Sequence, residues 1–206
     1  MPKPMDKRQI DRFFRILARE LRAPAQIILT GAAAGSLWGH VRPSLAVDFS
    51  ITLARPGRLQ WAALEEAVER TVALTGIRAN YAEDIDRWGP ISLLDWRRHG
   101  APYRTFGTLR VRLLHPAYWT IGKLSRYLDS DVQDLVAVLR RQRLDPHRLI
   151  RLWARALRAS PRSVACTHFR RQAEHFLHAY GRRIWGRRFD PDQAVRHFSN
   201  SLAKAS

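Results

Sequence analysis

The sequence predicts an α+β protein in which a small mixed β-sheet with flanking helices is followed by a C-terminal helical bundle. Short apolar segments bounded by Gly or Pro are typical of strands, and they occur only before residue 115. After Pro116 the apolar residues recur at helical spacing. We therefore expect two domains, an α/β domain over residues 1–115 and a helical, strongly basic domain over residues 116–206.

The predicted first domain alternates helices with short strands. Its predicted helices are 6–22, 32–39 and 59–75, and its predicted strands are 26–30, 47–53, 91–96 and 108–114. The basic segment 97–104 (RRHGAPYR) is predicted to be a loop between the last two strands. Because these strands are few and short, we expect them to form a single sheet.

Helix-start signals mark the predicted second domain. A capping residue followed by proline at the first helical position occurs at Asp145-Pro146, at Ser160-Pro161 and at Asp190-Pro191. Each pair predicts the beginning of a helix.

The charge of the chain is strongly positive and unevenly distributed. Of the 206 residues, 36 are Lys or Arg and 18 are Asp or Glu, a net charge of +18. From Arg140 to the end there are 16 basic and four acidic residues, so this last third carries a net +12. Such asymmetry favours a polyanion such as RNA as a partner.

The segment 181–188 (GRRIWGRR) is the candidate nucleic-acid-binding segment. Its arginines are suited to gripping phosphates and its tryptophan to stacking on a base. These residues are Arg182, Arg183, Trp185, Arg187 and Arg188. The alternative is a solvated helix end with Trp185 packed into the protein.

Several classes of protein are excluded or disfavoured. Cys166 is the only cysteine, which excludes an internal disulfide and a cysteine-based zinc site. No apolar run reaches the roughly 20 residues that span a membrane, and the N-terminus lacks the apolar stretch of a signal peptide. We expect a soluble cytoplasmic protein without a membrane partner.

The most informative motif lies in residues 26–53. It places a strand, a glycine at the strand-to-helix turn, a small-residue helix, and then Arg42, Ser44 and Asp48 entering a second strand. This pattern resembles the minimal nucleotidyltransferase fold, in particular the toxins of abortive-infection (AbiE-type) systems and related bacterial nucleotidyltransferases. Their pattern is Gly-Gly, a helix, and then Arg-x-Thr/Ser-x-Asp-x-Asp.

The resemblance implies a site for a nucleoside triphosphate and Mg²⁺. In such proteins two carboxylates one residue apart on a strand face the same side and hold the metal, and the turn glycine lets backbone amides approach the phosphates. It assigns Asp48 to catalysis and metal binding. The residues it assigns to the nucleotide are Thr30, Gly31, Arg42 and Ser44.

The metal motif is degenerate here. Ala46 stands where the first of the two carboxylates is expected. In an alternative register Gly35-Ser36 is the glycine motif, Asp48 is the first carboxylate and Ser50 replaces the second. We prefer the first register, since Thr30-Gly31 ends a predicted strand. Asp95, on the predicted strand 91–96, is the candidate third carboxylate.

A second stretch, residues 114–139, resembles the same families. They carry a lysine on the helix after the sheet, then an arginine, then Asp-x-x-Asp-Leu. The matching residues here are Lys123, Arg126, Asp131, Asp134 and Leu135. The resemblance implies that Lys123 and Arg126 contact the triphosphate.

Two functions remain open at this point. The first is an enzyme that transfers a nucleoside monophosphate from an NTP to RNA, tRNA included, or to a protein, with Mg²⁺ as cofactor and a cognate antitoxin as a further partner. The second is a catalytically impaired member of the fold that binds nucleic acid or a protein partner, because Ala46 removes a metal ligand. A third interpretation combines the two functions: the natural protein carries Asp at position 46 and is active, and this chain carries an inactivating Ala. A DNA-binding regulator fits less well, since no helix-turn-helix spacing stands out.

Overall fold

A computed structural model describes residues 5–39 and 45–203 of the chain. Within these ranges it has an α+β fold with eight α-helices and a five-stranded mixed sheet, as the sequence predicts. The chain divides into two compact units. The first holds the described residues up to Ile85 together with Arg97–Leu114, and the second holds Asp86–Trp96 and the residues from His115 onward.

The helices and strands have the following bounds. The helices are α1 (Lys7–Leu21), α2 (Gly31–Leu37), α3 (Arg58–Thr75), α4 (Pro116–Arg126), α5 (Asp129–Gln142), α6 (Pro146–Ala159), α7 (Val164–Trp185) and α8 (Pro191–Ala203). The strands are β1 (Ala25–Thr30), β2 (Ala46–Leu53), β3 (Arg78–Ala82), β4 (Gly100–Phe106) and β5 (Leu109–Leu114). No helix in the described part of the chain is long and apolar enough to cross a membrane.

The sheet of the first unit has the order β3-β2-β1-β5-β4. β1 lies antiparallel to β2 and parallel to β5, whereas β3 and β4 are the edges. One face is apolar and packs on α1, where the ring of Phe49 lies 6.1 Å from that of Phe13 and 5.7 Å from that of Phe14. Because side chains alternate along a strand, Asp48 lies on the opposite face of β2.

Two strands of this sheet were not predicted. β3 is short and only partly buried, and β4 lies in the segment predicted to be a basic loop. Both are edge strands, whose exposed positions accept polar residues and even proline, here Pro102, without losing the pairing. The pairing of β4 with β5 shifts register between Pro102 and Arg104.

The predicted strand 91–96 is wrong. Ile91, Leu93 and Trp96 are all buried, which produces the apolar pattern of a strand. The segment nevertheless forms no strand and pairs with none of the described strands. Its backbone is held instead by the carboxylate of Asp86, which accepts bonds from the Leu93 amide and the Ser92 hydroxyl. The segment belongs to the second unit.

Two of the three predicted helix starts of the second unit are confirmed. The carboxylates of Asp145 and Asp190 accept backbone N–H bonds at the first turns of α6 and α8. Ser160 instead caps the C-terminal end of α6, and its hydroxyl oxygen accepts a bond from the Ser92 amide at 2.8 Å. Because α7 begins only at Val164, Pro161 does not open a helix.

The core of the second unit forms around Trp153 of α6, whose side chain is fully buried. Its indole N–H donates to the Thr120 hydroxyl of α4 at 2.9 Å, and its ring lies 6.2 Å from Phe176 of α7. The indole therefore links three helices while its polar atom stays satisfied, as buried Trp requires.

Candidate functional site

Asp48 and Gly31 lie side by side at one end of β1. In the antiparallel pairing of β1 and β2, Thr30 stands opposite Asp48, and Gly31 follows as the first residue of α2. A Cβ atom at Gly31 would lie 2.8 Å from Cγ and 2.9 Å from Cβ of Asp48. The two strands are therefore neighbours, and Asp48 projects toward the Gly31 turn.

Gly31 is required at this turn for two reasons. Its φ of +64° is a left-handed conformation that residues with a Cβ rarely adopt. In addition, the Asp48 carboxylate occupies the space that a side chain would fill. The backbone at the end of β1 is therefore close to a carboxylate.

Asn80 is a site residue that the sequence did not reveal. It stands opposite Asp48 in the pairing of β2 with β3, and its amide donates a hydrogen bond to Oδ1 of Asp48 at 2.7 Å. Asn80 itself is exposed. No sequence signal pointed to it, because the strand that carries it was not predicted.

The described residues do not fit a two-carboxylate Mg²⁺ site. Ala46 is the residue two positions before Asp48 on the same face of β2, and a methyl group offers no oxygen ligand. One oxygen of Asp48 accepts a hydrogen bond from an amide. Across residues 5–39 and 45–203, no three His, Cys, Asp or Glu side chains form a group able to hold a metal ion. Arg42 and Ser44 lie outside the described residues.

The alternative register is less well supported by the structure. The Ser36 hydroxyl donates to the Ala33 carbonyl within α2 at 2.7 Å, so it serves its own helix. Ser50 is only 2% exposed. Thr30 and Gly31, in contrast, stand directly beside Asp48.

Asp95 does not lie on the sheet. It is exposed, in an irregular stretch of the second unit, whereas the third carboxylate was predicted on a strand. Its charge acts on the phenol of Tyr118, whose pKa is raised mainly by burial and to a lesser extent by Asp95.

Lys123 is the centre of a buried ion cluster between α4 and α5. Its ammonium donates to Asp131 at 2.9 Å and to Asp134 at 2.6 Å, and its side chain is only 4% exposed. The guanidinium of Arg126, which is 60% exposed, binds Asp131 with two N–H groups. Burial alone raises the pKa of Asp131, but the hydrogen bonds from Arg126 and Lys123 outweigh it and lower that pKa below its ordinary value.

This geometry gives the second motif a structural role. A buried charge is stable only when it is paired and hydrogen-bonded. To contact a triphosphate, Lys123 would have to leave two buried carboxylates. The predicted phosphate contacts of Lys123 and Arg126 stay predictions.

The segment 181–188 combines exposed arginines with a packed tryptophan. The four arginines of the segment are exposed. Trp185, in contrast, donates its indole N–H to the Leu144 carbonyl at 2.9 Å and stacks on Phe189 with 4.8 Å between ring centroids. Because its N–H and one face are engaged, the structure favours the alternative in which Trp185 packs into the protein.

The exposure of arginine extends over the whole helical part. Every arginine between residues 140 and 196 is exposed, fifteen in all. They are Arg140, Arg141, Arg143, Arg148, Arg151, Arg155, Arg158, Arg162, Arg170, Arg171, Arg182, Arg183, Arg187, Arg188 and Arg196.

Comparison with known proteins adds no family. No protein-family model matches the chain, and neither a curated protein nor a solved structure matches it significantly.

Proposed function

We propose that the chain is a nucleic-acid-binding protein built on a nucleotidyltransferase-like α+β unit in which nucleotidyl transfer is impaired. One observation carries the proposal: all fifteen arginines between residues 140 and 196 are exposed, in a segment that holds only four acidic residues. Exposed guanidinium groups bind phosphate oxygens and release counterions from nucleic acid, which supplies most of the affinity of non-specific complexes.

The acidic residues of this segment do little to neutralise it. Asp145 and Asp190 cap α6 and α8 with their carboxylates. Glu174 pairs with Arg170 at 2.9 Å. Because so few carboxylates are present, most of the arginine charge faces solvent and is available to an external polyanion.

Impaired transfer follows from the residues around Asp48. Ala46 removes one carboxylate, and Asn80 supplies an amide donor instead of a second anion. Loss of a metal-ligating carboxylate removes both a ligand and a negative charge from a Mg²⁺ site.

Two assays on one preparation test the proposal. In filter binding at low salt, the protein should retain labelled RNA. Incubated with each labelled NTP, Mg²⁺ and total RNA, it should label neither RNA nor protein above the level of the Asp48→Ala variant. Absence of RNA binding at low salt contradicts the proposal. Ala46→Asp, tested in parallel, shows whether restoring the carboxylate restores transfer.

An active nucleotidyltransferase is the second candidate. The observation that favours it is the contact between the Asp48 carboxylate and the Gly31 turn. Labelling of RNA or protein that disappears in Asp48→Ala would establish this candidate. This second candidate function also includes a cognate antitoxin as a partner, as the resemblance implies.

A further inference from the structure

Two arginine-rich segments meet at one end of the helical unit. The hydrogen bond from the Trp185 indole to the Leu144 carbonyl joins the end of α7 to the connection between α5 and α6. The arginines near Trp185 are Arg182, Arg183, Arg187 and Arg188, and those near Leu144 are Arg140, Arg141, Arg143 and Arg148. These eight residues are called the arginine end below.

We propose that the arginine end is a single surface that binds the phosphate backbone of nucleic acid without regard to base sequence. The proposal rests on the proposed function, since it names the part of the helical unit that holds the nucleic acid. All eight arginines are exposed, and within the described residues none of them lies within ion-pair distance of a carboxylate.

The nearby acidic groups are engaged elsewhere. Asp145 and Asp190 accept backbone N–H bonds at the starts of α6 and α8, and Asp192 faces His178 at 3.5 Å. Among the described residues no carboxylate therefore forms an ion pair with the arginine end, although the charge of Asp190 acts on Arg182 at longer range. Several guanidinium groups close together suit the closely spaced charges of a nucleic-acid backbone.

Trp185 acts as a positioning residue in this surface. Its N–H bonds to Leu144, and its ring stacks on Phe189, which in turn packs against Gly181 so closely that no Cβ would fit there. The aromatic residues beside the arginine end, Trp185 and Phe189, thus pack on each other, whereas base-stacking surfaces present their rings to solvent. With phosphate contacts and no base contacts, binding carries no sequence information.

Three variants with equal loss of charge test the proposal. The first changes Arg182, Arg183, Arg187 and Arg188 to Gln, and the second changes Arg140, Arg141, Arg143 and Arg148 to Gln. The control changes Arg155, Arg158, Arg162 and Arg171 to Gln, four exposed arginines that form no ion pair among the described residues. Gln keeps much of the length and helix propensity of arginine, and circular dichroism checks that each variant is folded.

The control set lies far from the arginine end. α7 has 22 residues and is about 33 Å long, so Arg171 is about 16 Å from Arg182 along the helix axis. This separation exceeds the Debye length of about 8 Å at physiological salt. A general loss of positive charge therefore affects all three variants alike, whereas loss of phosphate contacts affects only the first two.

The expected result is a selective loss. Each of the first two variants should bind RNA at least tenfold more weakly at physiological salt, and the slope of log affinity against log salt should fall by about 2 units. The control should lose less than about threefold. Two RNAs of equal length and unrelated sequence should bind wild type with affinities within about threefold.

Each contrary outcome has a definite meaning. If wild type binds no RNA at low salt, the proposed function itself fails. If wild type binds and all three variants weaken equally, the arginine end is not the binding surface, although the proposed function stands. A strong preference between the two RNAs contradicts backbone recognition. Equal competition by vesicles of phosphatidylserine identifies a general anion surface and overturns the proposal of a nucleic-acid site.

Discussion

The contact between Gly31 and Asp48 is the most constrained feature of the sheet site. A glycine at φ +64° is packed directly against a carboxylate, so neither the backbone conformation nor the space allows a side chain. We expect Gly31→Ala to destabilise the protein by about 2 kcal/mol or more, from left-handed strain and the clash together. Urea unfolding of wild type and variant measures the difference.

A second substitution separates the two contributions. Asp48→Ala removes the carboxylate that the new Cβ would meet, so the double variant should be more stable than the sum of the two single effects predicts. Strict additivity would show that Asp48 does not occupy the space next to Gly31.

Asn80 shows what residue patterns cannot reveal. Asp48 was identifiable because it follows a strand, a glycine and a helix in a familiar order. Asn80 lies 32 residues later on an edge strand with little apolar pattern, and only the pairing of β2 with β3 brings its amide to Asp48. The sequence predicted the carboxylate of the site but not its hydrogen-bond donor.

At the scale of elements, the ion cluster of Lys123 fixes α4 against α5. Lys123→Met removes the buried ammonium that bridges Asp131 and Asp134, although Asp131 keeps its bonds from Arg126. Breaking such a buried ion pair destabilises a protein by about 3–5 kcal/mol. Arg126→Gln, at a residue 60% exposed, should destabilise it by less than about 1 kcal/mol. Comparable urea midpoints for the two variants would contradict the central position of Lys123.

The same cluster makes stability sensitive to acid. The pKa of Asp131 is lower in the folded protein than its ordinary value of 3.8, so the folded state binds the proton less readily than the unfolded state. This contribution to stability is complete well above pH 3.8 and is lost as the pH falls through the folded-state pKa. We expect the urea midpoint to fall less between pH 5 and pH 3 in Asp131→Asn than in wild type. Equal falls would contradict this assignment.

The predictions were right for elements whose apolar residues are buried in the core and for helix starts that depend on local contacts. β1 and β2 are central strands with buried apolar residues, and Asp145 and Asp190 are caps whose role is local. The strand predicted over residues 91–96 was wrong because an irregular backbone can also bury alternate residues. The edge strands β3 and β4 were missed because an edge needs few apolar residues.

For the whole molecule, the distribution of charge in the sequence was the best guide to the surface of the folded protein. The net +12 from Arg140 to the end was evident from composition, and the structure places every arginine between residues 140 and 196 at the surface. What composition could not indicate is the Trp185–Leu144 bond, because a hydrogen bond between residues 41 positions apart depends on the packing of helices. That bond joins two arginine segments that are separate in the sequence.

The salt dependence of RNA binding by the intact chain tests the central claim most directly. With roughly 4–6 phosphate contacts, log affinity should fall linearly with log salt, with a slope of about −3 to −5. Affinity should therefore drop by roughly 60-fold to 1,000-fold between 50 and 200 mM salt. An affinity that hardly changes over this range, or no binding even at the lowest salt, would contradict a nucleic-acid-binding function carried by the exposed arginines.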